Sequence, residues 1–437
     1  MADHAKSDSP AVQAQLDRLA ALSPGRDTLG LERIAALCER LGNPQDRLPP
    51  VFHVAGTNGK GSTCAFLRSA FEAAGLKAHV YSSPHLVRFN ERIRVAGKLI
   101  EDEALAALLS EVLDHAEGLQ ASFFEVTTAA AFLAFSRTPA DACVIEVGLG
   151  GRLDATNIIK KPAVCGIASL GIDHEAFLLA PEEGVPKDPF VRIGWEKAGI
   201  AKAGVPLVIQ KYDRPVHDII SAHAKTTGST LIANGVEWNA SSYRRELHYR
   251  DEFGTMSVPL PALPGPHQAQ NAALAIAMLR HQQAVKIPES AFEMAMGRAK
   301  WPARLQKLSA GPLTSLLPDA EIWLDGGHNA DAGAAIGQFF QQYDRSVHMI
   351  IGMLANKDPL SLLHWLEGEL ESIIAVPVPN HEYHPVTAYR SAMPVEWAEN
   401  VTKAFDKLAE KSPDTVLICG SLYLAGEVLR LNGQIPD

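Results

Sequence analysis

No segment of this chain offers the roughly 18 uninterrupted apolar residues that a membrane-spanning helix requires. Its first stretch, MADHAKSDSP, is polar and lacks the apolar core of a signal peptide, so a cytoplasmic protein without a membrane partner is expected. Cysteine is sparse. Cys38, Cys64, Cys143, Cys165 and Cys419 are odd in number, scattered and without C-x-x-C spacing, which argues against a disulfide framework or a thiolate metal site. Cys143 and Cys165 lie in apolar runs, where cysteine acts as a small hydrophobe. A basic excess is missing as well: the formal net charge is -10, which leaves no overall cationic footprint for nucleic acid, and any polyphosphate must be met by local cations or metal. Internal repeats and low-complexity linkers are not evident.

What the chain does have is the composition of an ordinary packed protein, 47% apolar and 21% charged. Its 437 residues exceed what one growing core accommodates, so two domains are expected. The first fifty residues hold one helical pattern, LERIAALCERLG, ended by Gly-Asn-Pro. From Val51 onward strand-like and helical segments alternate: VFHVAG, a helix from Ser62 to Ala74, KAHVYSS, a helix near residues 102 to 116, and a helix through TTAAAFLAF. The runs ACVIEVGLG and AVCGIASLG read as buried parallel strands. Such alternation predicts an α/β sheet covered by helices. Residues 238 to 262 break the rhythm and predict an antiparallel excursion, after which NAALAIAMLRHQQAV reads as the helix closing the first domain. Strand-like segments EIWLDGG, HMIIGML, ESIIAVPV and DTVLICG then suggest a second α/β unit. The expected domains are residues 1–298 and 299–437.

HVAGTNGKGS runs from an apolar strand through Gly56, Thr57, Asn58, Gly59, Lys60, Gly61 and Ser62 into a helix. Glycines let backbone N–H groups approach phosphate oxygens, the helix N-terminus adds its positive dipole end and Lys60 supplies a charge, an arrangement that fits ATP. Val54 stands where the first glycine of G-x-x-x-x-G-K-[ST] would fall, and a plain strand-to-helix turn is the alternative. Glu146 ends an apolar strand, where a carboxylate points toward the usual ligand crevice of an α/β sheet and suits Mg²⁺; an N-cap or turn carboxylate is the alternative. His174 follows another such strand and could converge on the same sheet edge, although imidazole is not the preferred Mg²⁺ ligand. His217, His223 and His281 receive no role. Lys197, in GWEKAGIAKAG, reads as an ordinary surface lysine.

The ordered set LGLER, HVAGTNGKGS, VYSSPHLVRFNERIRV, FFEVTT, EVGLGGRLDATN, IDH, EKAGI, HQAQNAALA, WPARL, DGGHN, IGMLANKD and CGSLYLAGEVL resembles the folylpolyglutamate synthases and bifunctional dihydrofolate synthases, relatives of the Mur ligases, nearly end to end. The resemblance implies an N-terminal ATP-binding domain with a mostly parallel sheet and a smaller C-terminal Rossmann-like α/β domain, with catalysis in the cleft between them. It implies that Gly56 to Ser62 hold the triphosphate, that Ser83, Glu146 and His174 serve two magnesium ions, and that Lys197 is carbamylated. It assigns Asn271 to the nucleotide, Arg304 to the phosphates, Asp325 to the ribose and His328 to the phosphate region. Leu22, Ser23, Pro24 and Gly25, with Ser122, Phe123, Phe124, Glu125, Leu153, Asp154 and Ala155, match segments that surround dihydropteroate. On the residues alone, Phe124 could equally be core and Asp154 a turn cap. The implied reaction is ATP-dependent ligation of L-glutamate to dihydropteroate and to reduced folates by a monomer, through an acyl phosphate.

Rival readings are a monofunctional polyglutamate synthase, a Mur-type ligase and a non-catalytic nucleotide switch. The loop begins at Gly56, leaving too few preceding residues for the UDP-sugar domain of a Mur-type enzyme. Three features depart from the family pattern: Ala303 replaces glycine in W-P-G-R, Gly327 replaces alanine in D-x-A-H-N, and the connection between His174 and Lys197 is long.

Overall fold

A computed structural model describes residues 5–22, 29–342, 346–366, 368–389 and 393–437. The chain forms two compact units, one of residues 1–84, 89–262 and 268–300, the other of 85–88, 263–267 and 301–437.

The first unit is built on an eight-stranded sheet. Its strands are β1 (Val51–Ala55), β2 (Ala78–Tyr81), β3 (Ile93–Val95), β4 (Lys98–Leu99), β5 (Ala142–Glu146), β6 (Val164–Ile167), β7 (Pro206–Ile209) and β8 (Thr230–Ala233), in the order β4-β3-β2-β5-β1-β6-β7-β8. Only the β3 and β4 pairings are antiparallel. Every residue of β1, β2, β5 and β6 is buried, which is why these strands read as unbroken apolar runs.

Helices α1 (Pro10–Leu22), α2 (Glu32–Arg40), α4 (Asp102–Ala116) and α5 (Phe123–Arg137) share one core cluster with Tyr81, Cys143 and Ile145. Helix α3 (Lys60–Ala73) follows β1 and packs against α10 (Glu289–Arg298). A second cluster joins β6 and β7 to α8 (Arg214–Thr227) and to the end of α7 (Pro189–Ala198), with the short α6 (Glu175–Leu178) before it. Strands β9 (Trp238–Tyr243), β10 (Glu246–Asp251) and β11 (Gly254–Pro259) form the antiparallel excursion. Arg280, at the end of α9 (His267–Arg280), grips Asp251 of that sheet with contacts of 2.6 and 2.7 Å.

Two expectations change. Helix α1 adds a second helix to the first fifty residues. It buries only Val12, Leu16 and Leu19, a stripe too thin to stand out among polar neighbours. Helix α9 stops at Arg280 rather than running through HQQAV, and Gln282 turns the chain by bonding the Ala284 and Val285 N–H groups, so α10 follows it.

The second unit carries β12 (Gln306–Lys307), β13 (Glu321–Leu324), β14 (Val347–Ile351), β15 (Leu370–Ala375), β16 (Val395–Trp397) and β17 (Thr415–Cys419), in the order β12-β13-β17-β14-β15-β16. All but the β12 pairing are parallel. Helices α11 (Ala330–Phe340), α12 (Val401–Ala409) and α13 (Leu422–Leu431) accompany the sheet, whose two faces pack separate apolar clusters. All five cysteines are buried and unpaired, and burial pushes the Cys38 and Cys165 thiols up to about 12. Among the described residues no helix is long and apolar enough to cross a membrane.

Candidate active site

Register brings the first group of candidates to one sheet edge. Strand β1 lies between β5 and β6, with Val54 opposite Glu146 and Ala55 opposite Ile167, so the loop leaving β1 emerges between Glu146 and the chain that follows β6. Ser169 fastens that loop. Its carbonyl accepts from the Thr57 and Asn58 N–H groups, at 2.8 and 3.3 Å, and its hydroxyl donates to the Asn58 carbonyl. Thr57 is tied at both ends to Gly171, its hydroxyl donating to the carbonyl and accepting from the N–H.

Gly59 caps α3 in the left-handed region, φ +81°, and a Cβ there would lie 2.3 Å from Asn271 Oδ1. The first intrahelical bond runs from Thr63 N–H to the Gly59 carbonyl, so the N–H groups of Lys60, Gly61 and Ser62 precede it, and Gly59 has no side chain to cap them. A row of uncapped donors at the start of a 14-residue helix fits a phosphate. Lys60 Nζ rests 3.2 Å from the Thr57 carbonyl, within the same loop.

The Ser83 N–H points at Glu146 Oε2, 3.4 Å away. His174 has left-handed backbone at the start of α6, and its Nε2 stands 3.9 Å from Asp173 Oδ2. Among the described residues no three His, Cys, Asp or Glu side chains gather as a metal cage. A single carboxylate with a serine suits a hard cation that keeps water and substrate phosphates among its ligands.

Lys197, read from sequence as a surface residue, is 3% exposed. Helix α7 carries it inward, where Nζ donates to the Gly56 carbonyl at 2.9 Å. Burial, with Lys60 adding to it, lowers its amine to about 7. The long connection before it is pinned by Glu182, which bonds both Arg152 (2.7 Å) and Arg192 (2.9 Å), while Trp195 lies under both guanidinium groups.

The segments expected to surround dihydropteroate carry local architecture. Ser122 and Glu125 form the capping box of α5, and Arg33 bonds Glu125 at 3.0 Å. Phe123 is core and meets Phe89 edge-on. Phe124 is half-buried and lies over Gly148, where a Cβ would stand 2.3 Å from its ring. Asp154 is buried and caps the turn Ala155–Ile158: its carboxylate accepts from Thr156 N–H and hydroxyl and from Leu149 N–H. The Thr156 hydroxyl also meets His53 Nε2 at 2.8 Å, a link between β1 and this turn that sequence gave no sign of. Burial raises the Asp154 carboxyl against those bonds. Leu153 is half-buried and Ala155 buried beside it. Leu22 ends α1, and Ser23, Pro24 and Gly25 lie outside the described residues.

In the second unit, Arg304 sits between Ala303 (φ +55°) and Leu305 (φ +45°), both left-handed. Glycine would take the first position without strain, whereas alanine there needs support from its surroundings. Asp325, leaving β13, supplies some of it by accepting from the Leu305 and Gly327 N–H groups, at 2.8 and 2.6 Å. Burial raises the Asp325 carboxyl, and Arg304 opposes that rise. A Cβ at Gly327 would come 2.8 Å from Asp325 Oδ1, so glycine suits this particular turn. His328 follows, and Asn329 caps α11.

Residues 315–431 match the sequence model described as "Dihydrofolate synthetase, C-terminal domain". The dihydrofolate synthase/folylpolyglutamate synthase of Escherichia coli K12 is 34% identical over 417 residues, covering 92% of this chain and 91% of that protein. Escherichia coli FolC in complex with DHPP and ADP superposes with a TM-score of 0.84 at 32% identity, covering 97% of this chain and 98% of the other. The bifunctional synthase of Yersinia pestis complexed with AMPPNP and Mn gives a TM-score of 0.84 at 29% identity, with the same coverage.

Proposed function

Because the chain belongs to the dihydrofolate synthase/folylpolyglutamate synthase family of ATP-dependent glutamate ligases, we propose that it joins L-glutamate to dihydropteroate, giving dihydrofolate, and extends reduced folates with further glutamates. The observation that carries this reading is the loop Gly56–Ser62, with its uncapped N–H donors and Lys60, emerging beside Glu146. In this reading residues 1–298 handle ATP and 299–437 serve the glutamate-ligase step, in a monomeric cytoplasmic protein.

A free carboxylate resists amide formation because its leaving group would be oxide. A substrate carboxylate oxygen therefore attacks the ATP γ-phosphorus, releasing ADP and leaving an acyl phosphate. The glutamate amine then attacks the acyl carbon, and the tetrahedral intermediate expels phosphate. The chain's own contribution is positioning and charge stabilisation. The N–H groups of residues 60–62 and Lys60 take the phosphates, Asn271 contacts the nucleotide, Asp325 the ribose, Arg304 the phosphates and His328 the neighbouring phosphate region. Ser83, Glu146 and His174 would hold two magnesium ions, which supply charge neutralisation for phosphoryl transfer. Lys197, as a carbamate, would bring a further anion to that edge. Phe124 and Asp154, with Leu22–Gly25, would frame the pterin.

Product mass spectrometry decides the matter, with ATP, magnesium and glutamate present and dihydropteroate and tetrahydrofolate offered separately. Glutamylated products from both support the proposal. Product from tetrahydrofolate alone leaves a monofunctional polyglutamate synthase, and none from either leaves a nucleotide switch.

A further inference from the structure

Gln268 is 0% exposed, yet among the described residues its Nε2 has no hydrogen-bond partner. A buried amide with an unmade donor is destabilising, so the fold alone would favour an apolar side chain of similar length there. Its carbonyl is engaged. Asn271, one turn further along α9, donates from Nδ2 to Gln268 Oε1 at 3.2 Å. That bond fixes which way the Asn271 amide faces. The terminal torsion of asparagine is broad and roughly two-fold, so without an acceptor at this point the amide could turn over and exchange its oxygen and nitrogen. Held as it is, Asn271 presents Oδ1 to Gly59, close enough that a Cβ on Gly59 would stand 2.3 Å from it.

We propose that Gln268 is a positioning residue of the nucleotide site, locking the Asn271 amide against Gly59 and so setting the entry of the phosphate loop into α3. The proposal rests on the reading of that loop as the ATP site. Gln268 touches no reacting atom. Its effect passes through Asn271 to the turn that carries the N–H groups of residues 60–62.

The test is ADP binding by calorimetry, which does not depend on folate turnover, together with the melting temperature. Gln268→Met keeps the length of the side chain and removes both its acceptor and its unmade donor. Because it removes one unmade donor and leaves the buried Asn271 Nδ2 without this acceptor, it should melt near the wild-type temperature while binding ADP about tenfold more weakly, an ordinary coupling between contacting residues. KM for ATP should rise in parallel, with kcat at saturating ATP near the wild-type value. Asn271→Ala should weaken ADP binding by itself, and adding Gln268→Met to it should cost nothing further. Wild-type ADP affinity in Gln268→Met, or losses that add in the double variant, overturns the proposal. Should the methionine variant fail to fold, Gln268→Asn, which keeps the amide but withdraws its carbonyl, must show the same loss. Absence of ADP binding by the wild-type protein would instead remove the reading of the loop on which the proposal rests.

Discussion

The amine of Lys197 lies 2.9 Å from the carbonyl oxygen of Gly56, the first glycine of the phosphate loop. A lysine buried there, with its amine lowered to about 7, is substantially neutral near physiological pH, the form that can add CO₂. Lys197→Ala is expected to abolish most activity, with small carboxylates restoring part of it. Enzyme stripped of CO₂ should regain activity on addition of bicarbonate, and faster at pH 8 than at pH 6. Wild-type turnover in the alanine variant would remove Lys197 from the site.

The same burial has a consequence for folding. Lys197 titrates near 7 when folded and near 10.5 in its ordinary state. Below pH 7 it is charged in both states, and the penalty of burying the charge is fully present. Between about 7 and 10.5 the unfolded chain binds more protons, so this site's contribution to stability rises with pH. In CO₂-free buffer, Lys197→Met should therefore exceed wild type in Tm most at pH 6, and the difference should shrink toward pH 9. A difference independent of pH would reject the shift.

Gly59 and Gly75 separate two causes of glycine dependence. Both have positive φ, +81° and +75°, but a Cβ at Gly75 meets nothing within 4 Å. Gly75→Ala should cost about 1 kcal/mol for the left-handed backbone alone. Gly59→Ala adds a collision with Asn271 and should lose nucleotide binding as well. Denaturant titration and ADP binding, measured together, check both.

Lys60→Ala should lower turnover about 10²–10³-fold, the usual effect of deleting one charge-stabilising donor, with the fold intact. Glu146→Ala should raise the magnesium concentration needed for half-maximal activity. Near-normal turnover in the first at saturating ATP, or an unchanged magnesium dependence in the second, would contradict the assignments.

Asp154→Ala leaves the Leu149 and Thr156 N–H groups without their acceptor, at a cost of about 1–3 kcal/mol for each donor that stays buried. Because the turn it caps follows Gly148, on which Phe124 lies, dihydropteroate ligation should suffer more than polyglutamylation. Equal loss of both activities would mark Asp154 as a turn cap alone.

The parts of the site legible in the sequence were those written into contiguous residues. VFHVAGTNGKGS declares strand, loop and helix by itself, and Glu146 announces itself by ending an apolar run. Burial of Lys197 was not legible, because GWEKAGIAKAG has the polarity of a surface turn and only the packing of α7 takes the side chain inward. The bonds from His53 to Thr156 and from Asn271 to Gln268 escaped for different reasons. The first joins residues 103 positions apart, and the second lies in a helix whose small apolar neighbours give no sign of a polar pair. Strand order was likewise hidden, since hydrophobic runs identify strands without saying that β1 would sit between β5 and β6.

The burial of all five cysteines leaves the folded protein without an exposed thiol. A cysteine introduced at an exposed position such as Val236, which is 69% exposed, would be the sole thiol open to a maleimide in the folded protein. Dyes, spin labels or a tether to a surface could therefore be attached at one chosen point without first replacing any native cysteine.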